Sequence, residues 1–295
     1  MNNNEYERLI EHSVSKGIQF NYISKEETIK YITDNTYFFR VYAYRKNYPK
    51  DSSGKYINLD FAYLIELSKI DRDLRYIIFD LCIDVEHYLK KEIVRRVTEQ
   101  SDPYNIVSDY FKINGRAKER IETQDKSSSY SHNLIEKYKD KFPIWAFAEV
   151  ASFGTITSFC DFYKEKCNDS IVESKVLNNV RDLRNAVAHN CCLLVNVTKT
   201  KQVNNIGTIS IFASNCGLGL ESRRKNLSNK FIMDLTCLLY VHKMLINDDS
   251  KFIKLKSFLD KKAVQNKEYF EKNQPICRVY KFIKKLVEGI LTYNK

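Results

Sequence analysis

The sequence predicts a mainly α fold, and three observations carry that prediction. Apolar residues recur at helical spacing along most of the chain. Only 8 Gly and 4 Pro occur in 295 residues, too few for the turns of an all-β sandwich or barrel. No internal repeat and no Gly-rich phosphate loop breaks the pattern. The length suits one large domain or two small ones. A hydrophobic content of 43% excludes a disordered basic tail, and the low Gly and Pro count excludes the fibrous classes.

Residues 25 to about 47 read as an aromatic-rich helical region, closed by the polar break Pro49-Lys-Asp-Ser-Ser-Gly54. From about 58 to 98, Leu64, Leu67, Leu74, Ile77, Ile78, Leu81, Val85, Tyr88, Leu89 and Ile93 mark one long helix, or two joined near Ile70-Asp-Arg-Asp. Residues 100–141 are polar and read as a loop, mobile above all at Ser127-Ser-Ser-Tyr-Ser. Pro143 starts the next helix, where its missing N–H matters little. Trp145, Phe147, Val150 and Phe153 carry that helix to Gly154, and further helices cover about 155–166 and 174–190. Leu193-Leu-Val-Asn-Val and Thr208-Ile-Ser-Ile-Phe-Ala alternate apolar and polar residues around Asn204-Asn-Ile-Gly207. This stretch, 193–213, reads as a small β-hairpin. Helices return from about 226 to the end.

The N-terminus is polar and lacks the apolar core of a signal peptide. The most apolar stretch, residues 231–246, is broken by Asp234, His242 and Lys243, so it reads as a buried helix and not a membrane span. Eight cysteines show no C-x-x-C pair and no zinc spacing, and most sit on apolar helical faces as small core residues of a reducing cytosol. A cytoplasmic protein with no membrane partner is expected.

The net charge of +11 is unevenly placed. Residues 251–295 hold 12 Lys/Arg against 4 Asp/Glu, a net of +8, and the other 250 residues hold +3. Ile276, Val279, Tyr280, Ile283, Leu286, Val287 and Ile290 recur at helical spacing, while Arg278, Lys281, Lys284 and Lys285 fall elsewhere on the wheel. Two readings stand: a docked helix offering a cationic face to phosphates, or a solvated helix whose lysines keep the protein soluble. The first makes these four residues RNA contacts. On that reading, truncation near Asn247 weakens RNA binding and its salt slope more than it changes any cleavage, provided the core still folds.

Five histidines, at 12, 87, 132, 189 and 242, show no metal-binding spacing, so no metal and no cofactor is expected. Arg181-Asp-Leu-Arg184-Asn185-Ala-Val-Ala-His189-Asn190 stands out because it contains R-N-x-x-x-H. With 14 Arg and 5 His, chance supplies about 0.24 such pairs at any one spacing, so the pair alone says little. The helical wheel says more. Val176, Val180, Leu183 and Val187 form one stripe for the core, while Arg181, Arg184, Asn185, Ala188 and His189 share a separate arc of about 140°. The arc is either an ordinary exposed helix face or a site. As a site it suits RNA, which carries its own nucleophile in the 2′-OH. Histidine titrates near neutral pH, arginine grips a phosphate in two hydrogen bonds, and an amide orients either partner. Arg184 and His189 lie at opposite edges of the arc, so two such helices facing each other across a dimer make a better site than one.

Three ordered segments over about residues 30–200 carry a resemblance. They are Leu64-Ile-Glu-Leu-Ser-Lys-Ile-Asp-Arg-Asp-Leu-Arg-Tyr-Ile-Ile with Val85-Glu86-His-Tyr-Leu-Lys, then Phe142-Pro-Ile-Trp-Ala-Phe-Ala-Glu-Val-Ala-Ser-Phe-Gly154, then Leu183-Arg-Asn-Ala-Val-Ala-His-Asn190. Together they resemble the Abi (abortive infection) family of bacterial phage-defence proteins, of the AbiD/AbiF kind, and the last resembles the R-N-x-x-x-H element of the HEPN superfamily of metal-independent ribonucleases. The resemblance implies a HEPN-type helical bundle over residues 1–246, with 247–295 as a basic helical extension packed on it. It also implies a homodimer with the motif helices at its interface, and RNA cleavage leaving 2′,3′-cyclic phosphate ends. Arg184 and His189 would be catalytic, Asn185 would assist them, and Arg181 would contact RNA. Glu86 matches an acidic position that orients the motif arginine; an ion pair with Lys90 at i+4 is the other reading. Some relatives resemble toxins held in check by a structured RNA, which would make RNA a regulator as well as a substrate. The alternative function is a non-catalytic RNA-binding module, and a weaker third is a signalling protein with protein partners only.

Overall fold

A computed structural model describes residues 3–123, 130–197 and 206–293. The described residues are 75% helical, in line with the mainly α fold the sequence predicts. Among the described residues, extended pairing is confined to the isolated bridges Gln19–Asp60 and Lys50–Tyr56.

The chain opens with α1 (Asn3–Ser15), α2 (Lys25–Asn35) and α3 (Phe38–Tyr42), followed by a 3-10 turn over Ala43–Asn47. Ser24 caps α2 reciprocally with Glu27, a capping box that supplies partners to two otherwise orphaned amides. Next comes α4 (Phe61–Gln100), a single helix of 40 residues. It contains neither Gly nor Pro, so nothing in it removes a backbone hydrogen bond and no junction forms at Ile70-Asp-Arg-Asp. Three short helices follow: α5 (Asn105–Ile113), α6 (Gly115–Glu122) and α7 (His132–Tyr138). Then come α8 (Ile144–Val150), α9 (Phe153–Cys167), α10 (Ser174–Ala188), α11 (Gly207–Asn215) and α12 (Leu220–Leu227). The chain closes with α13 (Lys230–Leu245), α14 (Asp249–Gln265), α15 (Lys267–Phe270) and α16 (Gln274–Leu291).

Three expectations need correction. The segment 100–141 is not a loop: α5, α6 and α7 lie within it. Sparse anchors suffice, with Ile106, Val107 and Tyr110 buried on α5, Ala117 and Ile121 on α6, and Ile135 on α7. Most of the serine run at 127–131 lies outside the described residues. The expected β-hairpin is absent as well. Residues 193–197 form turns, and Thr208-Ile-Ser-Ile-Phe-Ala lies in α11. Ile209, Phe212 and Ala213 are buried there at helical spacing, while Ile211 is 63% exposed. A six-residue apolar–polar run fits either period, and packing chose the helical one. Finally, the helix expected to run to Gly154 breaks at Ala151 and Ser152. Ser152 caps α9 by accepting from the Thr155 amide at 3.2 Å.

Contacts divide the chain into two compact units. One comprises residues 1–80, 183–236 and 248–295, the other 81–182 and 237–247. The first unit buries Phe38 and Phe61 beside stacked partners, Tyr42 at 4.8 Å and Phe20 at 5.4 Å between ring centroids. Its α16 buries Val279, Phe282, Ile283, Leu286, Val287 and Ile290. Gly289 of α16 lies so close to Cys216 that an added Cβ would collide with its carbonyl group, so only glycine fits. The second unit packs the Phe147 and Phe159 rings 5.1 Å apart, with Tyr110 5.3 Å from Phe159. The three residues that break the 231–246 stretch, Asp234, His242 and Lys243, are all under 5% exposed. In the second unit the His242 Nε2 lies 3.4 Å from the Asp84 carboxylate. Asp234 belongs to the first unit, where it pairs with Lys230 at 3.0 Å. No described helix is long and apolar enough to cross a membrane.

Candidate functional site

The helix that carries R-N-x-x-x-H is α10. Its apolar stripe is buried as expected, at Val176, Val180, Leu183 and Val187, joined by Leu177. On the opposite arc Arg181 and Arg184 are half-buried, whereas Asn185, Ala188 and His189 are exposed. The end of the helix is held by a Schellman turn. Asn190 adopts φ +59°, the left-handed region that asparagine tolerates better than most side chains. The Cys191 amide donates to the Ala186 carbonyl at 2.8 Å and the Asn190 amide to the Val187 carbonyl at 3.0 Å. His189 is therefore the last residue in helical register, and its own amide donates to the Asn185 carbonyl at 2.9 Å. Arg184 and His189 stand about 7.5 Å apart along the axis and about 140° around it. One helix presents both to solvent without aiming them at a single point.

The chain directly after the motif is pinned by a buried polar network in the same compact unit. Asp71 of α4 is fully buried. One of its carboxylate oxygens accepts from the Leu193 amide at 3.0 Å and the Leu194 amide at 2.9 Å. The other accepts from the Tyr44 hydroxyl at 2.6 Å and from Arg75. Burial pushes the Asp71 carboxyl pKa up, and these donors pull the other way. Arg75, 5% exposed, also reaches the Cys191 carbonyl at 3.4 Å. Asn47 continues the clamp: its side-chain amide donates to the Leu194 carbonyl at 2.7 Å and accepts from the Val197 amide at 2.9 Å. The strap of residues 191–197 is thus held through backbone groups of four residues, Cys191, Leu193, Leu194 and Val197, all within eight residues of His189.

Sequence reasoning missed Asp71, Arg75 and Asn47 as parts of this site. The only signal was the i, i+4 spacing of Asp71 and Arg75, which is indistinguishable from a surface ion pair until the donors 120 residues away are in place.

The other sequence candidates are scattered. Glu86, on α4 in the second unit, has its carboxylate 3.6 Å from the Lys90 ammonium. Arg181 pairs with Asp182 at 3.3 Å, and its side chain passes 3.7 Å from the point where a Cβ on Gly154 would stand. Arg278 turns inward, with its guanidinium 3.5 Å from the Val197 carbonyl. Lys284 is bound to Asp260 at 2.6 Å, which raises the lysine pKa, while hydrogen bonds from Lys256 and then Lys284 lower that of the aspartate. Of the four basic residues read from α16, Lys281 and Lys285 are exposed, whereas Arg278 and Lys284 are half-buried. Among the described residues no three His, Cys, Asp or Glu side chains gather as a metal-ligand set.

Fold and arc together describe an all-α protein that presents Arg, Asn and His at a capped helix end, with a buried carboxylate pinning the strap beyond it. A family model described as Abi-like protein matches residues 30–194, more than half of the chain, and the chain belongs to that family. Membership points to abortive infection, a defence against phage. No curated protein and no solved structure matches the chain.

Proposed function

We propose that this protein is a metal-independent endoribonuclease of abortive infection, of the AbiD/AbiF kind within the HEPN superfamily, with its site built from two copies of the α10 end. The observation that carries this reading is the solvent-facing arc of Arg184, Asn185, Ala188 and His189 on a helix end fixed by the Asn190 turn. His189 accepts the proton of the 2′-OH as that oxygen attacks the adjacent phosphorus. The P–O5′ bond breaks, the leaving 5′-oxygen takes a proton from water, His189 returns its proton to solvent, and a 2′,3′-cyclic phosphate remains. Arg184 holds the phosphate and offsets charge growing on its oxygens. Asn185, one turn before His189, orients either partner, and the small Ala188 leaves room for the backbone. Because the two edge residues diverge on one helix, Arg184 of one copy and His189 of the other serve one phosphate. Lys281 and Lys285 add sequence-independent grip.

The test is cleavage of total RNA in the presence of a chelator, with His189→Ala and Arg184→Ala alongside the unaltered protein. Cyclic phosphate ends with the unaltered protein, and loss of cleavage in both variants, are expected. Undiminished cleavage by both variants, or abolition by the chelator, overturns the mechanism. RNA that co-purifies and is released by salt, with no cleavage under any condition, would establish the non-catalytic binding module in its place.

A further inference from the structure

A cavity of about 460 Å³ lies in the first unit, bounded by α4, α14, α16 and the strap. Its volume falls within the range of pockets that hold small ligands, about 300–1,000 Å³. Leu67 and Leu74 of α4, Phe258 and Ala263 of α14 and Ile283 of α16 line it. Leu194 and Val197 complete the wall, so the strap held by Asp71 and Asn47 is itself part of the cavity. Lining of this kind repels a polar solute and favours an aliphatic or aromatic body. Cys277 does not change that: its thiol donates to the Phe270 carbonyl at 3.0 Å, and burial raises its pKa.

The mouth has a different character. Lys267 and Lys281 stand there, both exposed and neither ion-paired among the described residues. Lys262 is also present, paired with Asp73 at 3.1 Å, and Glu271 is the one acid. An apolar interior closed by a cationic mouth matches one ligand chemistry, an apolar body ending in an anionic group. A second helix would need a long open groove, and a nucleic acid would find an apolar interior with few polar groups to read.

We infer that this cavity is a binding site for a small amphiphile with an apolar chain and a carboxylate-type head, seated between α4, α14 and α16 with its head at Lys267 and Lys281. The inference is independent of RNA cleavage. Because Leu194 and Val197 form the wall, occupancy would be felt by the strap that leaves the α10 end.

The test uses the full-length protein and displacement of 1-anilinonaphthalene-8-sulfonate fluorescence by dodecanoate and by dodecanol. Saturable displacement by dodecanoate at one site per chain is expected. Ala263→Trp, which fills the cavity, should abolish it, while Ala263→Ser, which leaves the space, should not. Lys267→Glu combined with Lys281→Glu should weaken dodecanoate about five- to tenfold and leave dodecanol unchanged. Circular dichroism and a thermal melt of each variant confirm that it folds. Unsaturable binding, or equal binding by the tryptophan variant, overturns the site; equal loss of both ligands in the lysine variant overturns the assignment of the anionic head.

Discussion

The Leu194 amide donates a 2.9 Å hydrogen bond to the carboxylate of Asp71, 123 residues earlier in the chain. Asp71 takes donors from Tyr44, Arg75, Leu193 and Leu194, so a single buried carboxylate ties α4 and the strap to Tyr44 in the 3-10 turn. The segment that leaves His189 is held by these bonds.

Removing this carboxylate strands several buried donors at once. Asp71→Ala should destabilise the protein by about 3–5 kcal/mol, chiefly because Arg75 is left charged and unpaired. Tyr44→Phe deletes one hydroxyl and should cost about 1 kcal/mol. Urea melts of the two single variants and the double variant measure both. The double variant should lose less than the sum, because the two share an interaction. Additive losses would show that Asp71 and Tyr44 do not act as one network.

The arc residues are a contrasting case. Asn185 and His189 are exposed, so Asn185→Ala and His189→Ala should change stability by no more than about 0.5 kcal/mol. Any loss of cleavage then reports on chemistry. If one site takes Arg184 and His189 from different copies, mixing Arg184→Ala and His189→Ala subunits should restore about a quarter of full activity, through one intact site in each mixed dimer. A mixture as inactive as its components would place both residues in the same copy's site.

In the second unit, Glu92 faces Arg95 at 2.8 Å and Arg96 at 2.7 Å. Hydrogen bonding to Arg95, then Arg96, lowers its pKa from 4.5 to about 2. A depressed carboxylate pKa stabilises the fold above the unfolded value and stops doing so as pH falls through the folded one. The contribution is therefore full above about pH 4.5 and lost towards pH 2. It should be about 1 kcal/mol or less, since the pairs are partly solvated. Thermal melts should show Glu92→Gln less stable than the unaltered protein at pH 7 and equal to it near pH 2. A gap that persists at pH 2 would point to packing instead.

The basic C-terminal segment calls for point substitutions. Six apolar side chains of α16 are buried, each worth about 1.5–3 kcal/mol, and together they rival the whole stability of a domain. Truncation near Asn247 should therefore unfold the first unit before it reports on RNA, so the condition that the core still folds is not met. Lys281→Glu with Lys285→Glu keeps the helix. It should weaken RNA binding and reduce the slope of log K against log salt by about 1–2. An unchanged slope would mean that these lysines serve solubility.

Local pattern was sufficient for much of this protein. Apolar spacing over about 58–98 marked helix there but left one long helix or two joined near Ile70, the 3.6-residue period determined the buried stripe of α10, and R-N-x-x-x-H marked the arc. Each is a property of neighbours in sequence, and helical hydrogen bonds join neighbours. Thr208-Ile-Ser-Ile-Phe-Ala read as a strand of a hairpin and is helical, because six residues cannot separate a period of 2 from one of 3.6. Only tertiary packing, which buries Phe212 and leaves Ile211 outside, settled it. The roles of Asp71, Asn47 and Arg278 were likewise beyond the sequence. A polar side chain is placed in the core by the partners that satisfy it, and here those partners are backbone groups of residues 191–197 that only the folded chain brings within hydrogen-bond reach. The surplus of lysines was written in the composition; which of them face solvent, and which are paired with Asp73 and Asp260, was decided by the fold.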